Sequence, residues 1–467
     1  MLSDSLMTEI IHLMGAENVS ATTEAVLRHS YDAWPVAVKW KLLEKQPLKP
    51  DVVVYATSTE QISTLLRWAT ANQIAVTPWG AGSSVTGAPL PLNGGITLDL
   101  SRMSRFIRRD ELNMMVTVET GMMGDVLEQQ LNAAGYTLNH SPQSLNRSTV
   151  GGWIATRATG QFSSRYGGIE DLVVSLKAVL PDGTVLETTG VPRASTGMDL
   201  RQLFLGSEGT MGVVTEITLR MFAIPPYRKL ETVQFSTVED GVTAMRRIIQ
   251  LGLKPFLVRF YDEDESRHAM KDSSFDGCAM FLGFEGLESV ASAEYEAAMK
   301  ICSAHHGVLL GGASAEAWMN RRYDFSTVEN LLHGRGGVAE TIEIAHLWDA
   351  ILPVYHEMKA ALRPYATEVL GHFSHVYTHG TSLYLILLGH ADSDSDAEQR
   401  ILQIWDIAMS TALEHGAALS HHHGVGVARL PFIRKHLGEG IGVMEIVKHA
   451  LDPAGIMSPG KLGINGR

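Results

Sequence analysis

The hydrophobic pattern of this chain switches repeatedly between a period of two and a period near 3.6. The run "DVVVYATS" (51–58) is rich in β-branched residues and predicts a short strand. A helix follows, opened by Ser58 and Gln61 at capping-box spacing, with Ile62, Leu65, Leu66 and Ala69 on one face. "IAVTP" (74–78), "GITLDL" (95–100) and "MMVTVET" (114–120) predict three more strands. A helix then carries Leu127, Leu131 and Ala134 along one side. Val174, Leu176, Ala178 and Leu180 alternate as a half-buried strand does, "PDGT" turns the chain, and "VLET" returns. "GSEGTMGVVTEITLRMF" (206–222) feeds a further strand from a glycine loop.

Two prolines in "AIPPYR" (223–228) break the pattern and predict a domain boundary. Beyond it, long helical stretches such as "SAEYEAAMKICSAHHG" alternate with strands such as "SLYLILLGH". The segmentation expected is 1–227, 228–415 and a C-terminal segment 416–467 with a helix around "GVMEIVKHAL". This mixture predicts an α+β protein.

Composition changes this picture little. The 467 residues are 45% hydrophobic and 19% charged, which is ordinary for a globular chain. No apolar run reaches the roughly 18 residues of a membrane-spanning helix, and the first residues read as a helix, not as a signal peptide. A net charge of −13 argues against a nucleic-acid surface. The two cysteines, Cys278 and Cys302, have neither metal nor disulfide spacing and read as core residues of a cytoplasmic protein.

Three loops carry candidate chemistry. In "PWGAGSSVTG" (78–87), Gly80 and Gly82 let backbone N–H groups close around an anion, and Ser83, Ser84 and Thr86 add hydroxyls. The dinucleotide G-x-G-x-x-G pattern and the P-loop Lys-Ser/Thr pair are both missing. The run 141–171 is poor in apolar residues and suits a polar cofactor or solvent; Arg157 and Arg165 within it suit structural ion pairs. "GSEGTMGVVTE" (206–216) places glycines before a strand, where backbone approaches a ligand closely.

These loops, in this order and with the ending "DPAGIMSPGKLG", resemble the FAD-binding family of vanillyl-alcohol oxidase and p-cresol methylhydroxylase. The resemblance spans nearly the whole chain. It implies a flavin extended between two subdomains and covered by an α+β cap. It implies that 78–87 (Pro78, Gly80, Ala81, Gly82, Ser83, Ser84, Thr86, Gly87) holds the pyrophosphate. Residues of 142–167 would line the ribityl, ring and adenine: Pro142, Ser144, Thr149, Gly151, Gly152, Thr156, Gly160, Ser163, Tyr166 and Gly167. Glu208, Gly209 and Val214 would complete that lining. Non-covalent FAD is expected, because the first glycine loop contains no histidine.

Within the family the chain resembles the alkyldihydroxyacetonephosphate synthase branch through "TVGGWIATRATGQ", "GSEGTMGVVTE" and "SHHHGVG" (420–426). The hydroxy-acid dehydrogenase branch has Glu-His-Gly where this chain has His422-His423-Gly424, and its metal-site pattern is replaced by "GHFSHVYTHGTSLYL". Tyr384 stands where the synthase has its catalytic tyrosine. Glu329 falls where the synthase-type phosphate-binding arginine is expected, and a carboxylate would repel a phosphate.

Tyr384, His421, His422 and His423 therefore form the expected catalytic set. Arg429 would hold either an anionic substrate group or a protein carboxylate. Tyrosine, with a pKa of ~10, needs neighbouring charge to act as a base, and the histidines could supply that charge or act as bases themselves. No metal is expected. His372, His375 and His379 read as polar pocket or surface residues, and consecutive histidines on extended backbone point to opposite faces. The resemblance implies an oxidoreductase acting on a small hydroxy acid or polyol. Alkylglycerone-phosphate synthesis and a non-catalytic flavin-binding subunit are the alternatives. The sequence leaves the electron acceptor open and is compatible with a homodimer.

Overall fold

The computed structural model describes residues 2–464, so residues 465–467 of the C-terminal segment lie outside it. Three principal sheets organise the chain. In the first, the order is Val19–Ser20, Val52–Tyr55, Ile96–Asp99, Val76–Trp79, and the last three strands are parallel. The helix Thr59–Asn72 makes the crossover between Val52–Tyr55 and Val76–Trp79, the parallel strands on either side of Ile96–Asp99. Its four expected core residues, Ile62, Leu65, Leu66 and Ala69, are all fully buried. Ser58 Oγ caps it by accepting from Gln61 N at 3.2 Å, while the Gln61 side chain turns to Thr57.

The second sheet is antiparallel in the order Phe106–Asp110, Met115–Glu119, Val213–Arg220, Val173–Val179, Val185–Glu187. Leu127 and Leu131 are buried beside it, but their helix, Gly124–Asn132, ends before Ala134. The strand Phe106–Asp110 escaped the sequence reading because "FIRRD" exposes its middle and shows no alternation.

The third sheet is a single antiparallel surface of seven strands. Its order is Val308–Gly311, Tyr227–Phe235, Cys278–Gly286, Leu257–Tyr261, Glu368–Val376, Gly380–His390, Gly337–Leu347. Helices including Val238–Gln250, Glu288–Ala304 and Asp394–Glu414 bury their apolar faces in the core it shares with them. Cys278 and Cys302 lie free in that core.

The C-terminal segment returns to the first sheet. Ile456 and Ser458 hydrogen-bond across Val76, which leads directly into the first glycine loop. Two buried lysines reinforce the return. Lys448 Nζ donates to the Thr210 carbonyl at 2.7 Å, and Lys461 Nζ donates to the Gly87 carbonyl at 2.7 Å. Among the described residues no helix is long and apolar enough to cross a membrane.

Candidate active site

Directly paired residues in an antiparallel sheet share a face. Four adjacent strands place Tyr261, His372, Tyr384 and Glu343 in one such row. A second row places Arg259 beside Ser374 on the same face. A cavity of about 500 Å³ lies between these rows and the glycine loops. Tyr384 stacks on His372 with ring centroids 4.8 Å apart. Arg259 donates to Tyr261 Oη at 2.9 Å and to His372 Nε2 at 2.7 Å. A guanidinium can only donate, so His372 Nε2 accepts, and its Nδ1–H donates to Glu265 at 2.9 Å. Burial pushes the Glu265 carboxyl up to about 8, although the Arg259 charge opposes it.

The histidine segment folds onto this face because Glu343 draws it in. Ala418 bridges Ala345 on the edge strand. The buried Glu343 carboxylate then accepts from Ser420 Oγ at 2.7 Å, from His421 N, and from His423 N at 3.1 Å. Arg429 Nη2 completes the pairing at 2.9 Å. Burial raises the Glu343 carboxyl, but the Arg429 charge and the His421 amide donor outweigh it and hold it below its ordinary value. The backbone consequently bends at 421–423 and is not extended. His421 Nδ1 and His422 Nδ1 approach to 3.0 Å, so the two rings face one another and do not diverge as expected. His375 joins them. It is the extra residue of a bulge between Ser374 and Val376, with φ 52°, and the bulge turns its ring toward the segment. Ring nitrogens of His375, His421 and His422 lie within 4.8 Å of one another, whereas His379 is exposed and His372 is held by Arg259 and Glu265.

The opposite wall belongs to the glycine loops. Gly151 N donates to Thr120 O at 2.8 Å, and a Cβ on Gly151 would meet Thr120 at 2.8 Å. A Cβ on Gly80 would meet Thr149 Oγ1 at 2.5 Å. The third loop crosses behind the helix Val150–Thr156 through Gly206 N to Ile154 O and Glu208 N to Ala155 O. Glu208, at φ 47°, reaches on to accept from Val425 N and Gly426 N at 2.5 and 3.0 Å, which ties this loop to the histidine segment.

Known sequences and folds agree on what such a pair of walls is. A model of the FAD binding domain matches residues 50–189, and a model of the C-terminal domain of FAD linked oxidases matches residues 224–462. The chain belongs to the FAD-linked oxidase family. The chain is 30% identical over 457 residues to alkyldihydroxyacetonephosphate synthase of Caenorhabditis elegans, covering 90% of this chain and 76% of that protein. It is 29% identical over 477 residues to the uncharacterized FAD-linked oxidoreductase YgcU of Escherichia coli (strain K12), covering 98% of each. Its fold matches p-cresol methylhydroxylase with a TM-score of 0.82 at 16% identity, covering 99% of this chain and 98% of that one. The cofactor of this protein is FAD. The residues present suit it: glycines without side chains line the cavity with hydroxyl-bearing Thr149 and Ser83, and Gln161 Oε1 on the cavity wall has no partner among the described residues.

The fold brings most of the expected residues to the cavity, but not all. Pro78, Gly80, Ala81, Gly82, Ser83 and Ser84 line it, as do Pro142, Ser144, Thr149, Gly151, Gly152 and Thr156, and Glu208, Gly209 and Val214. Thr86 and Gly87 sit behind the loop, their carbonyls taken by Val427 N and Lys461. Gly160 packs on the Ser141 backbone. Ser163 bonds His375 Nδ1 at 2.8 Å, and Tyr166 and Gly167 lie off the cavity, with Tyr166 bonded to Glu285 at 2.5 Å. Arg157 and Arg165 pair with Glu170 and Glu294.

Tyr384, His422 and His423 line the cavity; His421 stands behind His422. Arg429 does not reach the cavity. It is fully buried and binds Glu343 and the carbonyls of Leu419 and Gly424, so it holds a protein carboxylate and positions the segment. The expected activation of Tyr384 by neighbouring charge is reversed. Burial raises its hydroxyl above the ordinary value, and Glu343 adds to the shift despite a Thr341 hydrogen bond. Burial likewise lowers His422 and His423, the latter to about 3, so they remain neutral and lend Tyr384 no positive charge. Arg259, Glu265, Glu343 and Tyr377 were missed. The available signal was a charge within an otherwise apolar strand, as in "FLVRFY" and "TIEIA".

Proposed function

We propose that this oxidase converts the hydroxyl of a small anionic substrate, of the hydroxy-acid type, to a carbonyl. Arg259 carries the reading. Its guanidinium is buried beside Tyr384's stacking partner and donates only to Tyr261 and His372. Among the described residues no carboxylate forms an ion pair with it. A buried cation lacking a counter-charge costs several kcal/mol, and a carboxylate or phosphate entering the cavity relieves that cost. Lys271, Arg321 and Arg322 line the same cavity and add positive charge. An uncharged polyol would leave Arg259 uncompensated.

FAD supplies acceptance of hydrogen and electrons at its ring. The chain's residues do the rest. Arg259 orients the anion, the neutral Tyr384 hydroxyl hydrogen-bonds the reacting oxygen, and the unprotonated imidazoles at 422 and 423 receive the hydroxyl proton. The flavin is bound without a covalent link, consistent with the absence of histidine, cysteine and tyrosine from residues 80–87. Glu329 pairs with Arg147 across the cavity mouth, so its charge is compensated.

That compensation favours one second reading. A phosphorylated substrate is tolerable beside a neutralised Glu329, as alkylglycerone-phosphate synthesis requires. An anaerobic screen of hydroxy acids, polyols and their phosphorylated forms separates the two. Hydroxy acids should bleach the flavin and uncharged polyols should not. Ether-lipid product from acyl-dihydroxyacetone phosphate and a long-chain alcohol, with release of the fatty acid and no bleaching by any hydroxylated acid, would establish the transferase instead.

A further inference from the structure

Oxidising a hydroxyl against the buried wall of the cavity leaves a proton that must reach water at each turnover. Burial disfavours a lasting imidazolium at His422, so the proton has to be passed on. Two hydrogen bonds lead outward from it. His422 lines the cavity, and its Nδ1 lies 3.0 Å from His421 Nδ1, which leaves Nε2 as its free nitrogen. His421 Nε2 lies 2.8 Å from Tyr377 Oη. Tyr377 is half-buried at the start of the turn joining the two central strands, and the next two residues, Thr378 and His379, are exposed. The His379 ring sits 5.9 Å from the Tyr377 ring.

We propose that His422, His421 and Tyr377 form a proton relay from the cavity to solvent, with Tyr377 as its outlet. The relay rests on the oxidation reading above. One orientation satisfies every link. His422 Nδ1–H donates to His421 Nδ1, His421 Nε2–H donates to Tyr377 Oη, and the tyrosine O–H points outward. The substrate hydroxyl proton is taken by His422 Nε2. One proton then moves across each hydrogen bond, and the original Tyr377 proton leaves to water. One proton enters, one leaves, and no group keeps a charge. Tyr377 acts through His421 and touches no substrate. His375 stacks on His421 at 4.9 Å and is fixed by Ser163, which holds the middle of the chain in place.

The test is anaerobic flavin bleaching by stopped flow, on the flavin-loaded protein, with a compound that reduces wild type. Tyr377→Phe should slow bleaching about tenfold, the low end of proton-transfer effects. Substrate affinity should be unchanged, the solvent isotope effect should rise, and added imidazole should restore most of the rate. His421→Gln cuts the chain one link earlier and should show the same imidazole-rescuable deficit. Wild-type rates in both variants, or a deficit that imidazole leaves untouched and that follows weaker substrate binding, would overturn the relay. If no compound bleaches the wild-type flavin, the oxidation reading fails and the relay with it; normal bleaching in Tyr377→Phe defeats the relay alone.

Discussion

Removing the guanidinium of Arg429 should unlock the histidine segment more than any other single change. Arg429 is fully buried and makes four hydrogen bonds: to Leu419 O at 2.6 Å, Gly424 O at 2.7 Å, Glu343 O at 3.2 Å and Glu343 Oε1 at 2.9 Å. Two of the acceptors bracket the histidines, at 419 and 424. In Arg429→Met the Glu343 carboxylate keeps its donors from Ser420 and the 421 and 423 amides but loses its counter-charge. Breaking a buried pair from one side costs about 3–5 kcal/mol. Glu343→Gln should cost a similar amount by stranding the arginine. The double variant removes both charges, so it should cost far less than the sum, with a coupling of about 2 kcal/mol or more. Urea titrations of the flavin-loaded proteins, followed by flavin fluorescence, measure this cycle. Additivity within about 0.5 kcal/mol would mean that the pair is not coupled, and the argument would fail. The pH dependence gives an independent sign. The Glu343 pKa is depressed in the folded protein, so its contribution is present above the unfolded value of ~4.3 and is lost as pH falls through the folded one. Arg429→Met should lose that acid-sensitive component.

Tyr384→Phe should slow flavin reduction at least about tenfold in anaerobic stopped flow; an unchanged rate would leave Tyr384 as a packing residue. Arg259→Met should raise the KM for an anionic substrate at least about tenfold and narrow the preference over the matching uncharged alcohol, from steady-state rates on both compounds; an unmoved preference would refute the role of Arg259. Acid precipitation should release the flavin into the supernatant, and yellow colour retained in the pellet would refute non-covalent binding.

The flavin-binding half was largely legible because its signals are local. Strand and helix periods at 52–55 and 59–72, and glycines at close backbone approaches such as Gly80 and Gly151, are written in consecutive residues. The cap side was less legible because its chemistry is assembled across strands. Tyr261, His372, Tyr384 and Glu343 form one row but come from four separate segments, and no spacing announces them. The histidine triplet was misread for the same reason. An isolated extended chain would alternate its rings, but a carboxylate 78 residues upstream of His421 pulls two amides inward and bends the backbone. Of the two partners expected for Arg429 the fold chose the protein carboxylate, and Tyr384 stands at the cavity without the lowering charge expected for it, since burial set both roles and burial depends on the whole fold.

The closing of the first sheet by Ile456–Ser458 and of two glycine loops by Lys448 and Lys461 has a consequence for biosynthesis. Those contacts join residues near 76, 87 and 210 to residues 448–461. A ribosome must therefore extend the chain past Lys461 before the glycine loops can close. Cofactor loading is in effect a post-translational checkpoint, and a nascent chain stalled short of Met457 should be unable to retain flavin however well its first 220 residues have folded.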